Sequence, residues 1–599
     1  MIDEEILFQP SGKKFKISQF KNQNIFFFLF ILVFLISFSY FLYLQIFLKE
    51  QYLAIEKNIK TVTYFIFPPR GKIFDRYQKI LADSKPTFDA YIDLNKIKEL
   101  PSEIKGKFFY RGNELIIRDI DQKTALTLLT KKIDGLEIVP SFKRVYFGKE
   151  EIGNLIGYVG FPEEDEKNYY QEEFVGKSGI ELSYQNYLHG KAGEIVYERE
   201  GEKLKKIQET EPQPGKNLVL TIDFEFQKKA YELIKNYLQE HNYQKAVFIA
   251  LNPKNGEIIS LISYPSYDPN WFLEDPEKVR QILKDKNHPL FNRGISGLYA
   301  PGSTIKLIVA AGALEEKIIS PQEKIYAAGQ IKIPNPYFPG TYSIFKDNKI
   351  HGWTDIKKAI ADSVNVYFYV IGGGYPYNDL ETDPPNLKIK GLGINLLNKY
   401  WRLFNLGQKT GIDLLGEKEG FLPSPETKAK NLFDPYWRLG DTYNVSIGQG
   451  DILVTPLQIA LWTSAFANNK IYQPFIVKKI IDENGKIIFE RTPKILRENI
   501  IKEENLKIIQ EGMRMTVTQG TAKILNDLPV KVAGKSGTPE IFGKKKLNAI
   551  FTGYFPYENP EIVMTLLIED VPIGSVATLP LYKELVKAYL ELNYGRNNF

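Results

Sequence analysis

The longest apolar run in the chain, residues 25–48, reads IFFFLFILVFLISFSYFLYLQIFL and carries no charge. At about 1.5 Å per helical residue it can cross a hydrocarbon core of about 30 Å with some tilt. A cleaved signal peptide has a shorter apolar centre followed by a small-x-small site. Here Lys49, Glu50, Gln51 and Tyr52 follow instead, so the run is read as an uncleaved transmembrane anchor. Beyond it, about 165 residues alternate between short strand-like and charged helical patterns. The polar stretch 209–215 reads as a linker. Residues 217–222 are a predicted strand and 224–238 a predicted helix. Two apolar runs, 246–251 and 257–262, meet at Asn255-Gly256, a strong hairpin signal. Residues 549–554 and 562–568 read as two further strands, and 582–592 as a closing helix. Strands at both ends of this region with a helical middle predict one sheet built from the two ends, holding an inserted helical lobe. That is an α+β class.

Composition narrows the chemistry. A chain of 599 residues is too long for one ordinary core and predicts two or more domains. Its net charge of +6 is small for that length, and acidic and basic residues are interspersed, which gives no support for a nucleic-acid surface. With no cysteine there are no disulfides, no thiol catalysis and no zinc–thiolate site. The four histidines, His189, His241, His288 and His351, are scattered outside metal-ligand spacings. A serine nucleophile in this chain therefore needs a base other than histidine.

Three short patterns supply one. In Tyr299-Ala-Pro-Gly-Ser303-Thr-Ile-Lys306, Pro-Gly ends an extended segment and an apolar helical run follows. Three residues along a helix put Ser303 and Lys306 on one face, and a serine in the first turn leaves its backbone N–H free for a developing oxyanion. The same spacing recurs at Ser11, Ser18, Ser102 and Ser343, but only Ser303 opens an apolar helix. Ser363-Val-Asn365 follows the helical stretch 356–362 and precedes Val366-Tyr-Phe-Tyr369. A hydroxyl and an amide two apart can point into one cleft; read alone, the pattern is more readily a helix end with a local cap. Lys535-Ser536-Gly537-Thr538 follows Val530–Gly534 and reads as a strand edge with a lysine, two hydroxyls and a glycine that lets substrate approach. Lys177-Ser-Gly and Lys409-Thr-Gly are rivals, but only the copy at 535 precedes further strands.

In this order the three patterns resemble the penicillin-binding protein and serine β-lactamase superfamily. Pro69-Arg70-Gly71-Lys72-Ile73-Phe74-Asp75-Arg76 is similar to the signature that opens the extracytoplasmic part of class B penicillin-binding proteins. Gly176-Lys-Ser-Gly-Ile-Glu181 is similar to a second signature of their pedestal. Phe291-Asn-Arg293, Gly448-Gln-Gly450, Thr455-Pro-Leu-Gln458 and Gly520-Thr-Ala522 match positions of their transpeptidase domain. The likeness covers about residues 60–570 and, within class B, is nearest the elongation-type branch, penicillin-binding protein 2; the division-specific branch is the rival. One departure is Tyr77-Gln78, where the family usually has a residue and a glycine.

The resemblance implies a cytoplasmic segment 1–24, an anchor 25–48, a pedestal of the dimerisation type 49–214 and a transpeptidase domain 215–599, with its catalytic bulk outside the bacterial cytoplasmic membrane. It implies a peptidoglycan D,D-transpeptidase, with D,D-carboxypeptidase as a side activity. Ser303 is then the nucleophile and Lys306 its base, made neutral by burial and by the charge of Lys535. Ser363 and Asn365 relay protons and orient, and Ser536, Gly537 and Thr538 bind substrate beside Lys535. Stem peptides are the substrates, β-lactams the inhibitors, and a RodA-type glycan polymerase with other elongation proteins the partners. Some relatives hold a metal with cysteine and histidine; without cysteine, no metal or other cofactor is expected. A β-lactamase needs neither anchor nor pedestal, and a β-lactam sensor needs more membrane spans or a cytoplasmic signalling domain. A non-catalytic scaffold activating a polymerase has no need of an intact Ser303, Lys306 and Lys535. The region before residue 215 is too short for a glycosyltransferase as well as a pedestal.

Overall fold

The computed structural model describes residues 18–47, 61–97, 99–101, 107–163, 166, 169–170, 172–200, 203–335, 338–375, 389–431, 433–541 and 546–596. The chain packs as two compact units, residues 1–66 with 192–212, and residues 67–191 with 213–599. In the first, the helix Ser18–Phe47 contains one span, Ile25–Ile46, long and apolar enough to cross a membrane. Its apolar side chains are exposed, as a lipid-facing helix requires. The same unit has an antiparallel sheet of Thr61–Ile66, Gly193–Glu200 and Lys203–Thr210. The predicted linker is therefore a strand at its start: Glu209 and Thr210 pair with Ile195 and Glu194.

The second unit holds an eight-stranded sheet in which Asn217–Leu220 lies parallel to Ile73–Phe74 and antiparallel to Val477–Ile481. The strand predicted at 217–222 thus pairs with the sheet that opens after Arg70. Its neighbourhood explains the two signatures there. Glu181 is fully buried and accepts from Arg70 Nη2 and Arg144 Nε, both at 2.7 Å. Arg70 Nη1 and Arg144 Nη1 bind the carbonyls of Phe174 and Gly71. Asp75 Oδ1 accepts the N–H groups of Tyr77 and Lys79, both at 2.8 Å, closing a turn in which Gln78 has φ +66°. Gln78 thus adopts the left-handed conformation that glycine favours, at some conformational cost.

A five-stranded antiparallel sheet organises the rest. Its strands are β1 (Ala246–Leu251), β2 (Ile258–Tyr264), β3 (Ala533–Gly537), β4 (Leu547–Phe555) and β5 (Ile562–Val571), in the order β2-β1-β5-β4-β3. The predicted hairpin is β1–β2, and strands from the two ends of the region meet at β1–β5. Both faces are covered, which is why β1 reads as an unbroken apolar run. Alternate residues serve different cores: Ala246, Phe248 and Ala250 join the helices α1 (Phe224–Glu240) and, at the C-terminus, Leu579–Arg596. Val247, Ile249 and Leu251 join the helical lobe. That lobe contains α2 (Lys306–Glu315), α3 (Ile356–Asp362), α4 (Asn365–Gly373), α5 (Leu439–Ser446), α6 (Pro456–Asn468) and α7 (Glu503–Thr518). The Lys-Ser-Gly run falls on β3, an edge strand, so one side of it faces no other strand.

Candidate active site

Ser303 sits in a single 3₁₀ turn, Gly302–Ile305, that runs directly into α2. Residues 306–314 of α2 are all buried, so the apolar run after the serine holds the turn in place. Gly302 has φ +53°, and a β-carbon there would lie 2.8 Å from Pro539 Cδ and 3.1 Å from Thr538 N. The turn therefore abuts the end of β3. On its other side Gly302 N donates to Gly448 O at 2.9 Å. A β-carbon on Gly448, whose φ is +76°, would lie 2.1 Å from Gly302 O. Gly448→Ala is expected to push the serine turn away and cut the rate of acylation by penicillin at least tenfold, while the cores above stay folded. Intact-mass time courses beside a thermal melt would check this; an unchanged rate would mean the loop yields freely.

Lys306 is fully buried. Its Nζ donates to Asn365 Oδ1 at 2.6 Å and Ser363 O at 2.8 Å, with Ser363 Oγ at 3.4 Å. Ser363 caps α3 in the left-handed region, φ +59°, which turns its carbonyl to the lysine before Asn365 opens α4. A non-glycine residue held there stores strain, a feature that recurs at functional sites. Burial lowers the Lys306 pKa to about 7, against a smaller opposing pull from Asp347. Among the described residues no hydrogen bond joins the Ser303 and Lys306 side chains; such contacts commonly form only in the substrate complex.

Lys535 is equally buried and donates to Ser536 O at 3.0 Å. Burial first, and the charge of Lys306 second, push its pKa well below the usual lysine range. The repulsion between the two buried lysines is mutual, so only one of them readily carries a proton at a time. Ser536 Oγ is 2.8 Å from Thr521 Oγ1, and Gly537 pairs with Ile550 at the end of the β3–β4 ladder. Ser303, Ser363, Asn365, Ser536 and Thr538 all line one cleft of about 1170 Å³, with Thr521, Tyr369, Lys346, Asp451 and Glu540.

The rival patterns have other fates. Thr410 is buried against Glu417, and Ser178 Oγ lies 3.2 Å from Tyr267 OH. Ser343 is exposed in a hairpin strand, and Ser11 and Ser102 lie outside the described residues. Two contributors escaped the sequence reading. Thr521 was present only as part of Gly520-Thr-Ala522, with nothing local to join it to Ser536. Asp347, whose Oδ2 accepts Val366 N at 2.9 Å, had no local signal. His351 lies 3.6 Å from Asp347 and 3.9 Å from Asp362, with Nε2 occupied at 2.8 Å by Asn348 Oδ1. Among the described residues no group of three or more His, Cys, Asp or Glu is placed to hold a metal, and buried Val364 offers no donor between Ser363 and Asn365.

With the geometry in hand, comparison with known proteins is direct. Residues 246–591 match the penicillin-binding protein transpeptidase domain and residues 65–220 the penicillin-binding protein dimerisation domain. The peptidoglycan D,D-transpeptidase MrdA of Haemophilus influenzae is 31% identical over 583 residues, covering 87% of this chain and 84% of that protein. The penicillin-binding protein PBP2 of Helicobacter pylori, solved in complex with MreC, superposes with a TM-score of 0.72 at 26% identity, covering 89% of this chain and all of that one. A chain from a peptidoglycan synthase complex described as coordinating polymerization and crosslinking superposes at 0.70 with 28% identity, covering 95% of this chain and 98% of that one.

Proposed function

The chain belongs to the class B penicillin-binding proteins, the peptidoglycan D,D-transpeptidases, and from that premise we propose how its residues divide the work in wall elongation. Ser303 Oγ attacks the carbonyl between the last two D-alanines of a stem peptide. Lys306 takes the serine proton, and the Ser363–Asn365 loop holds the lysine and passes the proton to the departing D-alanine amine. The carbonyl oxygen collects negative charge beside the backbone N–H groups of Ser303 and Thr538. Ser536 and Thr538, with Thr521 behind Ser536, hold the terminal carboxylate. An amine from a neighbouring stem then attacks the ester, forms the cross-link and frees Ser303; water in its place gives carboxypeptidase activity. The pedestal comprises residues 49–214 and the catalytic domain 215–599, with 1–24 on the cytoplasmic side of the membrane, the anchor 25–48 across it and the bulk outside, where the substrate lies.

The observation that carries this reading is Lys306 itself, buried, held by Asn365 and Ser363, and with a pKa of about 7. A lysine is a base only when neutral. Burial at this site makes the neutral form accessible near physiological pH. The decisive test is the intact mass of detergent-solubilised protein after exposure to a penicillin. A long-lived adduct of one drug mass is expected; rapid return to the free mass with drug consumed would mean a β-lactamase. The pH profile follows with a definite sign. The reactive neutral amine is lost as pH falls through about 7, so acylation slows about tenfold per unit below that and levels off above it. A rate flat from pH 5 to 9, measured by the same adduct, would remove Lys306 from the role.

The partner is a RodA-type glycan polymerase, on the strength of the synthase-complex likeness. Co-purification with that polymerase would support the assignment, and its loss on deleting the anchor and pedestal would locate the contact there; absence of co-purification by the full chain in detergent would contradict it.

A further inference from the structure

The strand Tyr342–Lys346 ends beside the catalytic loop, and its last residue is fixed from two sides. Asn365 Nδ2 and Tyr369 OH both donate to Lys346 O, at 3.4 and 3.2 Å. The next residue, Asp347, takes Val366 N and donates its own N–H to Gly329 O at 2.8 Å. A single amide therefore joins base and strand: Asn365 Oδ1 faces Lys306, and its Nδ2 faces Lys346. The Lys346 side chain is exposed and lines the cleft with Ser303 and Asn365. Among the described residues that line the cleft it alone carries a basic side chain, and among the described residues it makes no ion pair. Asp451 and Glu540 also line the cleft, so an anionic peptide entering it meets two carboxylates and one unpaired ammonium.

The direction of the substrate follows from the site as read above. The terminal carboxylate sits at Ser536 and Thr538, and the scissile carbonyl at Ser303. The upstream part of the stem then runs past Asn365, on the side where Lys346 stands. We propose that Lys346 is a substrate-binding residue that pairs with a carboxylate of the donor stem upstream of D-alanyl-D-alanine, and so selects free stems over amidated ones. This rests on the transpeptidase reading of the same site. Two stem carboxylates share the required chemistry, that of the second residue and, where the third is a diaminodicarboxylic acid, that of the third. A partly exposed charge-assisted pair in such a cleft corresponds to about tenfold in kcat/KM.

The test uses the full chain in detergent and four donor pentapeptides: both carboxylates free, the second residue amidated, the third amidated, or both. Release of D-alanine gives kcat/KM for each. In the unmodified protein, amidation at the contacted position should cost about tenfold, and amidation at the other little. Lys346→Gln should lower the free donor to the amidated value and leave the amidated donor alone, whereas Lys346→Arg should keep the preference. Lys349→Gln, on the same loop but outside the cleft lining, should behave as the unmodified protein. Benzylpenicillin has no carboxylate on its acyl side chain, so its acylation rate should be the same in all variants. Equal loss on every donor in Lys346→Gln would mean a structural role, and absence of discrimination in the unmodified protein would mean no pairing; either overturns the proposal while the penicillin adduct leaves the transpeptidase reading standing. Failure to form that adduct at all would instead bring down the transpeptidase reading and this one with it.

Discussion

Replacing Ser303 with alanine will abolish the penicillin adduct, and replacing Lys306 with methionine will slow acylation by about a thousandfold or more while the protein stays folded. The serine result follows because the turn's other hydroxyl, that of Thr304, is fully buried and donates to Pro301 O at 2.6 Å. The lysine result is the more informative. General-base assistance is worth about 10²- to 10⁴-fold, and Lys306 is the amine the Ser363–Asn365 loop is built around. Methionine keeps most of the side chain's length and removes a buried ammonium, so the desolvation cost disappears. Its own cost is the loss of a donor to Ser363 O and Asn365 Oδ1, about 1–3 kcal/mol for each buried acceptor left unpaired. Intact-mass kinetics and a thermal melt on the same samples separate the two effects. Near-normal acylation in folded Lys306→Met would show that another group takes the serine proton.

Glu181→Ala should be among the most destabilising single changes outside the catalytic cleft. Burial works against its ionisation, but Arg144 and Arg70 outweigh burial and hold the carboxyl below the usual range. Removing the carboxylate leaves Arg70 Nε and Nη2 and Arg144 Nε without it. Breaking one side of a buried ion pair costs about 3–5 kcal/mol, because the remaining charge stays buried. Glu181→Gln should cost less, since the amide oxygen still accepts. Because the folded pKa is depressed, the carboxylate's contribution is complete above the ordinary carboxyl range and is lost as pH falls through the folded value. Urea unfolding at neutral and acid pH reads both. A midpoint unmoved by Glu181→Ala would mean that water replaces the carboxylate and the cluster is not closed.

Much of the architecture was legible because it is written in local periodicity. The hairpin at Asn255-Gly256, the strands near 549–554 and 562–568 and the helix 356–362 each depend on residues within one or two turns of each other. The anchor depends only on length and the absence of charge. Edges were less legible. Glu209 and Thr210 look like linker, yet they become a strand because Gly193–Glu200 lies alongside, and a partner strand is not visible in their own composition. Likewise residues 217–222 read as a strand, of which 217–220 form one, but nothing in them says which sheet they join.

The sequence by itself determined the nature of the reactive groups and the order in which they come: a serine opening an apolar helix, an S-x-N loop between helices, and a Lys-Ser-Gly strand near the end. Only the tertiary structure decided what state those groups are in and what else stands with them. Lys306 reaches Ser363 across 57 positions, and Thr521 reaches Ser536 across 15. Lys346, the lysine of a discarded Ser-x-x-Lys match, comes to the mouth of the cleft because Asn365 and Tyr369 bind its carbonyl. The charge of Lys306 is likewise a property of burial, which sums contributions from the whole surrounding core. Periodicity acts over a few residues, whereas desolvation and electrostatics act over space, and only the folded chain turns one into the other.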